Sequence, residues 1–217
     1  LVTRNMYAYE FNTGDVFKAI SDWNLKRHQL QLNPKSFVQV SGVLTGIGVL
    51  IRELSEKGDG IMVQTPVYHQ FFKVIESADR KVVRTKLNVI DGKYQMDFED
   101  MERKLKTLNI KTILLCHPHN PVGRVWTKEE LQKLVNLANT YNVTIISDEI
   151  HSDIVYSGTQ FNSIVSLNNS ENHIAVLGSP AKTFGMQSIS NGYMYIPNEN
   201  MLKQIKNTIG SLYLDHG

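Results

Sequence analysis

The chain has 217 residues, 41% hydrophobic and 20% charged, a composition typical of a protein with one substantial globular core. Its 23 basic and 21 acidic residues are spread along the chain and give a net charge of +2, which argues against a nucleic-acid partner. No apolar run approaches the roughly 20 residues of a membrane span, and the pattern of a secretion signal is absent, so we expect a cytoplasmic protein without a membrane partner.

Short β-branched runs alternate with stretches of helical period along the chain, beginning with an amphipathic segment from Val16 to His28. The predicted strands are Ser36–Val40, Gly60–Gln64, Lys81–Thr85, Thr112–Cys116, Val143–Ser147, Ile174–Leu177 and Tyr193–Ile196. The later helices are predicted near Leu44–Glu56, His69–Ala78, Phe98–Leu108, Lys128–Tyr141 and Met201–Leu212. This alternation indicates an α/β fold with a mainly parallel seven-stranded sheet and helices on both faces, whose strands we expect to be buried on both sides.

Two helices have clear start signals, and no linker or repeat divides the chain into further domains. Asp97 is placed to cap one helix with Asp100 following it, and the segment Thr127–Glu130 matches a capping box. The lone cysteine, Cys116, excludes a disulfide within the chain, and its apolar surroundings favour a buried thiol over a catalytic one. No metal site is expected.

The loops that follow the predicted strands carry the unusual chemistry: Ser41–Gly46, Thr65–Tyr68, His117–Arg124, Asp148–Asp153 and Ser179–Phe184. Ligands of open α/β sheets bind beyond the carboxyl ends of the strands, so these loops should converge on one crevice.

The loops contain the groups that a pyridinium cofactor with a phosphate requires, although each has an ordinary alternative. The turn Ser41–Leu44 could hold a phosphate at a helix start or be a simple turn. Asp148 could pair with a protonated ring nitrogen or cap a helix, and Asn120 could donate to a phenolate oxygen or form an Asn-Pro turn. Tyr68 could stack on a ring or fill the core, and Lys182 could hold an aldehyde or be solvated.

Together these segments resemble a known family. The stretches Thr65–Phe72, Leu115–Leu131 and Ser147–Asp153 are similar to fold type I enzymes that use pyridoxal 5′-phosphate (PLP), in the class I/II aminotransferase superfamily. They most resemble its bacterial cystathionine β-lyase, or cysteine-S-conjugate β-lyase, branch, whose members include a maltose-regulon modulator. The resemblance runs from about Tyr7 to the end of the chain.

The resemblance implies roles for residues around the cofactor ring. Lys182 would form the Schiff base and act as the catalytic general acid and base. Asp148 would pair with the ring nitrogen, and Asn120 would bind the phenolate oxygen with help from His151. Tyr68 would stack on the ring.

The resemblance also implies how the phosphate is held. The backbone amides of Val43 and Leu44 and the hydroxyl of Ser179 would bind it. Tyr9 would reach the phosphate of a neighbouring subunit, which implies a homodimer.

By the same resemblance the substrate is an amino acid, and cystathionine or a related cysteine S-conjugate would be cleaved to a thiol, pyruvate and ammonia. An aminotransferase shares the first steps and stays an alternative. The segment Thr183–Ile189 departs from the family's usual pattern, and Ser190 stands where many aminotransferases have arginine, which fits the lyase branch better.

Family members also have an N-terminal segment and a C-terminal small domain, so we expect residues 1–217 to be an incomplete PLP-binding large domain. A catalytically weak fragment or a regulatory PLP-binding protein is therefore a third hypothesis for the function.

Overall fold

The computed structural model describes residues 15–167, 173–189, 191–212 and 214. Its α-helices are α1 Asp15–His28, α2 Val43–Glu53, α3 Gln70–Glu76, α4 Phe98–Thr107, α5 Lys128–Thr140, α6 Ala181–Phe184 and α7 Glu199–Ser211. Its strands are β1 Phe37–Val40, β2 Gly60–Thr65, β3 Lys81–Lys86, β4 Asn88–Ile90, β5 Lys93–Gln95, β6 Ile110–Cys116, β7 Thr144–Asp148, β8 Ile174–Gly178 and β9 Gly192–Tyr195. Short 3-10 helices span Pro34–Ser36 and Ile164–Leu167.

Seven strands form one sheet in the order β1-β9-β8-β7-β6-β2-β3. The strands from β8 to β3 in this order are mutually parallel, and β9 is antiparallel to both of its neighbours. The predicted α/β fold with a mainly parallel seven-stranded sheet is therefore confirmed. The strands β4 and β5 form a separate ribbon that the sequence analysis did not predict.

Helices cover both faces of the sheet, and the alternation of side chains along β6 shows how. Leu114 and Cys116 pack into one core with α2, α3 and α7. Ile113 and Leu115 point the other way into a second core with α4 and α5. Because both faces of β6 are buried, it reads in sequence as a nearly continuous apolar run.

The edge strand β3 departs from the expected burial. Among the strands that the structure describes, it pairs only with β2, and among its residues Thr85 alone is buried. The expectation of strands buried on both sides is therefore wrong for β3, since a strand at a sheet edge has fewer neighbours to cover it.

Both predicted helix starts are confirmed. The Asp97 side chain accepts a hydrogen bond of 2.9 Å from the amide of Asp100 at the start of α4. Thr127 and Glu130 form a reciprocal capping box at the start of α5. Among the described residues, no helix is long and apolar enough to cross a membrane.

Candidate functional site

A cavity of about 300 Å³ lies at the carboxyl ends of the central strands. Its lining residues come from the last residues of β6 and β7 and from the segments that follow β1, β2, β6, β7 and β8: Gly42, Val43, Leu44, Thr45, Tyr68, Cys116, Asn120, Asp148, Ile150, His151 and Lys182. This is the lower end of the range of roughly 300–1,000 Å³ found for small-molecule sites. The predicted convergence of the five loops on one crevice is confirmed.

Lys182 lies on α6, a helix of four residues directly after β8. The hydroxyl oxygen of Ser179 accepts the amide of Ala181 at 3.0 Å and so fixes the start of this turn. The turn ends at Gly185, which has the left-handed φ of 68° that glycine adopts without strain. Lys182 thus lies on a short helical turn that begins at the Ser179 contact and ends at Gly185.

Asp148 is the last residue of β7 and is buried in the cavity wall. Burial raises the pKa of its carboxyl to about 6, while a hydrogen bond from the Ile150 amide and the charge of Lys182 act in the opposite direction. The Ile150 amide donates to Oδ1 at 3.1 Å. A buried acid of this kind gains from a cationic partner in the cavity.

His151 and Asn120 also line this cavity. Burial and the positive charge of Lys182 lower the pKa of His151, which favours the neutral imidazole. The backbone amide of Asn120 donates to the sulfur of Cys116 at 3.3 Å, and this contact fixes the Asn120 loop against β6.

The structure confirms that Cys116 is a buried free thiol. Burial and the neighbouring Asp148 carboxylate raise its pKa. Because the thiolate is the reactive form, these surroundings disfavour a nucleophilic role.

Tyr68 and the start of α2 form the remaining walls. The Tyr68 ring packs edge-on against Phe71, with 6.0 Å between the ring centroids. Val43 and Leu44 occupy the first turn of α2, and the residue before them, Gly42, has no side chain to cap the helix. The first-turn amides and the positive end of the helix dipole are therefore suited to an anion.

Among the predicted site residues that the structure describes, Ser179 does not line this cavity. The Ser179 hydroxyl donates to the carbonyl oxygen of Asn191 at 2.8 Å, and its side chain lines a second cavity of about 400 Å³ beside α1. The structure thus gives Ser179 a local contact that competes with its predicted phosphate contact. Tyr9 lies outside the described residues.

The sequence analysis did not single out Thr45 or Ile150 as lining residues. Each lies beside a residue that it did name, so loop membership was the available signal. Within the described part of the chain, no group of three or more His, Cys, Asp or Glu residues is arranged to hold a metal ion.

Comparison with known proteins gives the same family as the sequence motifs. The family model for aminotransferase class I and II matches residues 5–216. The chain is 36% identical over 87% of its length to "Cystathionine beta-lyase PatB" of Bacillus subtilis, of which it covers 48%. It is 34% identical over 84% of its length to "Protein MalY" of Escherichia coli, of which it covers 46%. The chain thus spans about half the length of these curated relatives.

The fold of the chain is also similar to that of a solved structure. The structure of cystalysin from Treponema denticola, which contains a pyridoxal 5′-phosphate cofactor, superposes with a TM-score of 0.94 at 29% identity. The match covers 100% of this chain and 55% of the cystalysin chain.

Proposed function

The chain belongs to the aminotransferase class I and II family, as its motifs predicted, and we propose that it binds PLP through Lys182 as part of a carbon–sulfur β-lyase. The proposed substrates are cystathionine and related cysteine S-conjugates, which would yield a thiol, pyruvate and ammonia. The observation that carries the proposal is one cavity lined by Lys182, Asp148 and the uncapped start of α2.

The groups around the cavity fit the chemistry of PLP. The buried carboxylate of Asp148 suits the protonated ring nitrogen, because a cationic partner offsets the penalty of burying a charge. The amides of Val43 and Leu44 suit the phosphate at the start of α2. The Asn120 side chain is available for the phenolate oxygen, and the Tyr68 ring for stacking on the pyridine.

When bound, PLP supplies an electron sink for the charge that develops at the substrate α-carbon. Lys182 would bind the cofactor aldehyde and, once a substrate amine has displaced it, remove the α-proton. Asp148 would hold the proton on the ring nitrogen. His151, kept neutral by its surroundings, could accept a hydrogen bond beside Lys182 without adding charge.

The lyase outcome is supported by the PatB relative, which is named a cystathionine β-lyase. An aminotransferase is the second candidate, since the family model carries that name and the residues around the cofactor would serve both reactions. A regulatory PLP-binding protein with weak turnover is the third candidate.

We further propose a cytoplasmic homodimer in which Tyr9 contacts the phosphate bound by the partner subunit. Residues 1–217 would form the PLP-binding domain. The homodimer, the role of Tyr9 and the domain assignment are supported by the sequence resemblance, and the location by the composition of the chain.

The deciding experiment follows pyruvate release from cystathionine by the purified protein with PLP. Pyruvate formation without an added keto acid supports the lyase, whereas keto-acid-dependent amino transfer without pyruvate overturns it in favour of an aminotransferase. PLP binding with neither reaction would leave the regulatory role. Borohydride reduction should attach PLP to Lys182, and a Lys182→Ala variant should lose that attachment.

A further inference from the structure

The Asp153 carboxylate forms hydrogen bonds with three side chains from two helices, α1 and α6, although it does not line the Lys182 cavity. Its Oδ2 accepts from the indole Nε1 of Trp23 at 3.0 Å and from the hydroxyl of Thr183 at 2.9 Å. Its Oδ1 lies 2.8 Å from Nε2 of His28. The Asp153 and His28 side chains are only 11% and 6% exposed, so the contact between them is largely shielded from water.

Thr183 directly follows Lys182 on α6. A helix of four residues is too short to be stable by itself, because the cost of nucleating a helix exceeds the gain from its few hydrogen bonds. The turn therefore depends on contacts to other elements. Ser179 supplies one at its start, and the bond from Thr183 to Asp153 supplies another beside Lys182.

The contacts continue from Asp153 towards the Asn120 loop. The His28 ring packs edge-on against Phe161 at 5.2 Å, and Phe161 stacks on His117 at 4.7 Å between ring centroids. His117 begins the loop that carries Asn120. One chain of packed side chains thus joins the Lys182 turn to the loop on the other side of the site.

We propose that Asp153 is a positioning residue for Lys182, holding the α6 turn through the Thr183 hydroxyl and anchoring it to α1 through His28 and Trp23. The inference rests on the proposed function, since Lys182 must first be the cofactor lysine. Asp153 itself does not touch cofactor or substrate in this role.

The first test uses hydrogen exchange of the cofactor-free protein at the amides of Phe184 and Met186, which bond to Pro180 and Ala181. Thr183→Val removes the hydroxyl while keeping the shape, and Thr183→Ser keeps the hydroxyl. Thr183→Val should speed exchange at these amides about tenfold, the effect of losing one hydrogen bond to a charged acceptor. Thr183→Ser should exchange like wild type.

The Asp153→Ala variant extends the test. In combination with Thr183→Val it should exchange no faster at the α6 amides than Asp153→Ala alone, because both changes remove the same bond. Asp22→Asn is the control, since it removes a carboxylate from an exposed ion pair on α1 and should leave α6 unchanged. If Asp153→Ala fails to fold, the comparison of Thr183→Val with Thr183→Ser still decides whether the Thr183 hydroxyl holds the α6 turn.

The second test measures how fast borohydride fixes PLP at Lys182, read from the mass of the labelled peptide. At a limiting PLP concentration, Thr183→Val should slow fixation about tenfold, because a smaller fraction of Lys182 holds PLP, and Thr183→Ser should restore it. Faster exchange with unchanged fixation would overturn the positioning role and leave Asp153 as a structural anchor. Unchanged exchange would overturn the inference while the function stands. Absence of PLP from Lys182 in wild type would instead overturn the proposed function.

Discussion

The Nε2 of His119 lies 2.8 Å from the carbonyl oxygen of Pro66 and donates a hydrogen bond to it. The bond joins the loop that carries Asn120 to the loop that carries Tyr68, so two walls of the candidate site are fixed to each other. His119 is buried, with its ring edge-on to Trp126 at 5.3 Å.

His119→Phe should therefore loosen the site. A ring remains to pack against Trp126, but the partly buried hydrogen bond to the carbonyl of Pro66 is lost, which costs about 0.5–1.5 kcal/mol. Urea unfolding should show this loss, and a PLP titration should show weaker binding. The exposed His173 provides the control, because His173→Phe should change neither quantity appreciably. Unchanged PLP binding in His119→Phe would contradict a role for this bond in the site.

Asp148 should make the cofactor-free protein less stable as the pH rises. Its pKa in the folded protein is about 6 against an ordinary value of 3.8, so the folded state retains a proton that the unfolded state has released. Stability is lost as pH rises between these two values, by on the order of 3 kcal/mol. Asp148→Asn should thus stabilise the cofactor-free protein at pH 8 and change little below pH 4.

Urea unfolding of both proteins at the two pH values measures this difference. Burial, together with the charge of Asp148, raises the pKa of Glu149 to about 7, so the gain in stability of Asp148→Asn at pH 8 includes the relief of Glu149 as well as of Asp148 itself. The same variant should bind PLP more weakly, because it lacks the charge that pairs with the ring nitrogen. A variant that is less stable than wild type at pH 8 would contradict the assigned cost of burying this carboxylate.

The sequence predicted the central sheet well because burial on both faces leaves a clear apolar run, as in β6 and β7. The strands β4 and β5 have only three residues each, none of them buried, and so lack such a signal. The order of the strands could not be read from local pattern, since it depends on how the connections cross the sheet.

The residues of the site were predicted through loops after strands, but not their long-range contacts. His28 and Asp153 are 125 residues apart in the chain, and no spacing rule connects them. The contact of Ser179 with Asn191 depends on how the segment before β9 returns to the sheet. The local sequence therefore predicted which functional side chains follow the strands. It did not predict which of these side chains contact one another.

The pair Arg124 and Glu130 should contribute to the stability of the loop that precedes α5. Arg124 bonds to both carboxylate oxygens of Glu130, at 2.5 and 2.7 Å, and its Nε donates to the carbonyl of Tyr94 at 2.8 Å. Glu130→Gln removes the charge but can keep the capping box with Thr127, so it should cost about 1 kcal/mol in urea unfolding.

The exposed pair formed by Lys18 and Asp22 provides the comparison, with side chains 70% and 62% exposed. Lys18→Gln should cost less than about 0.5 kcal/mol, because water screens this pair. Equal losses of unfolding free energy in Glu130→Gln and Lys18→Gln would show that partial burial does not strengthen the pair of Arg124 and Glu130.

Gly192 should matter to the phosphate side of the site, because β9 begins there against the turn that starts α2. A Cβ at this position would lie 3.0 Å from the backbone Cα and C atoms of Gly42 and 3.2 Å from Val40. Backbone atoms cannot move aside as a flexible side chain can, so Gly192→Ala should displace the start of α2 and cost about 1–3 kcal/mol of stability.

The displacement should weaken PLP binding about tenfold, as expected for one weakened charge-assisted hydrogen bond. Pyridoxal, which lacks the phosphate, should lose much less affinity, because the α2 amides act on the phosphate. Gly210→Ala is the control, since a Cβ there meets nothing within 4 Å in α7 and should stabilise the helix by up to about 1 kcal/mol. Equal weakening of PLP and pyridoxal in Gly192→Ala would place its effect away from the phosphate and contradict the assignment of the α2 amides.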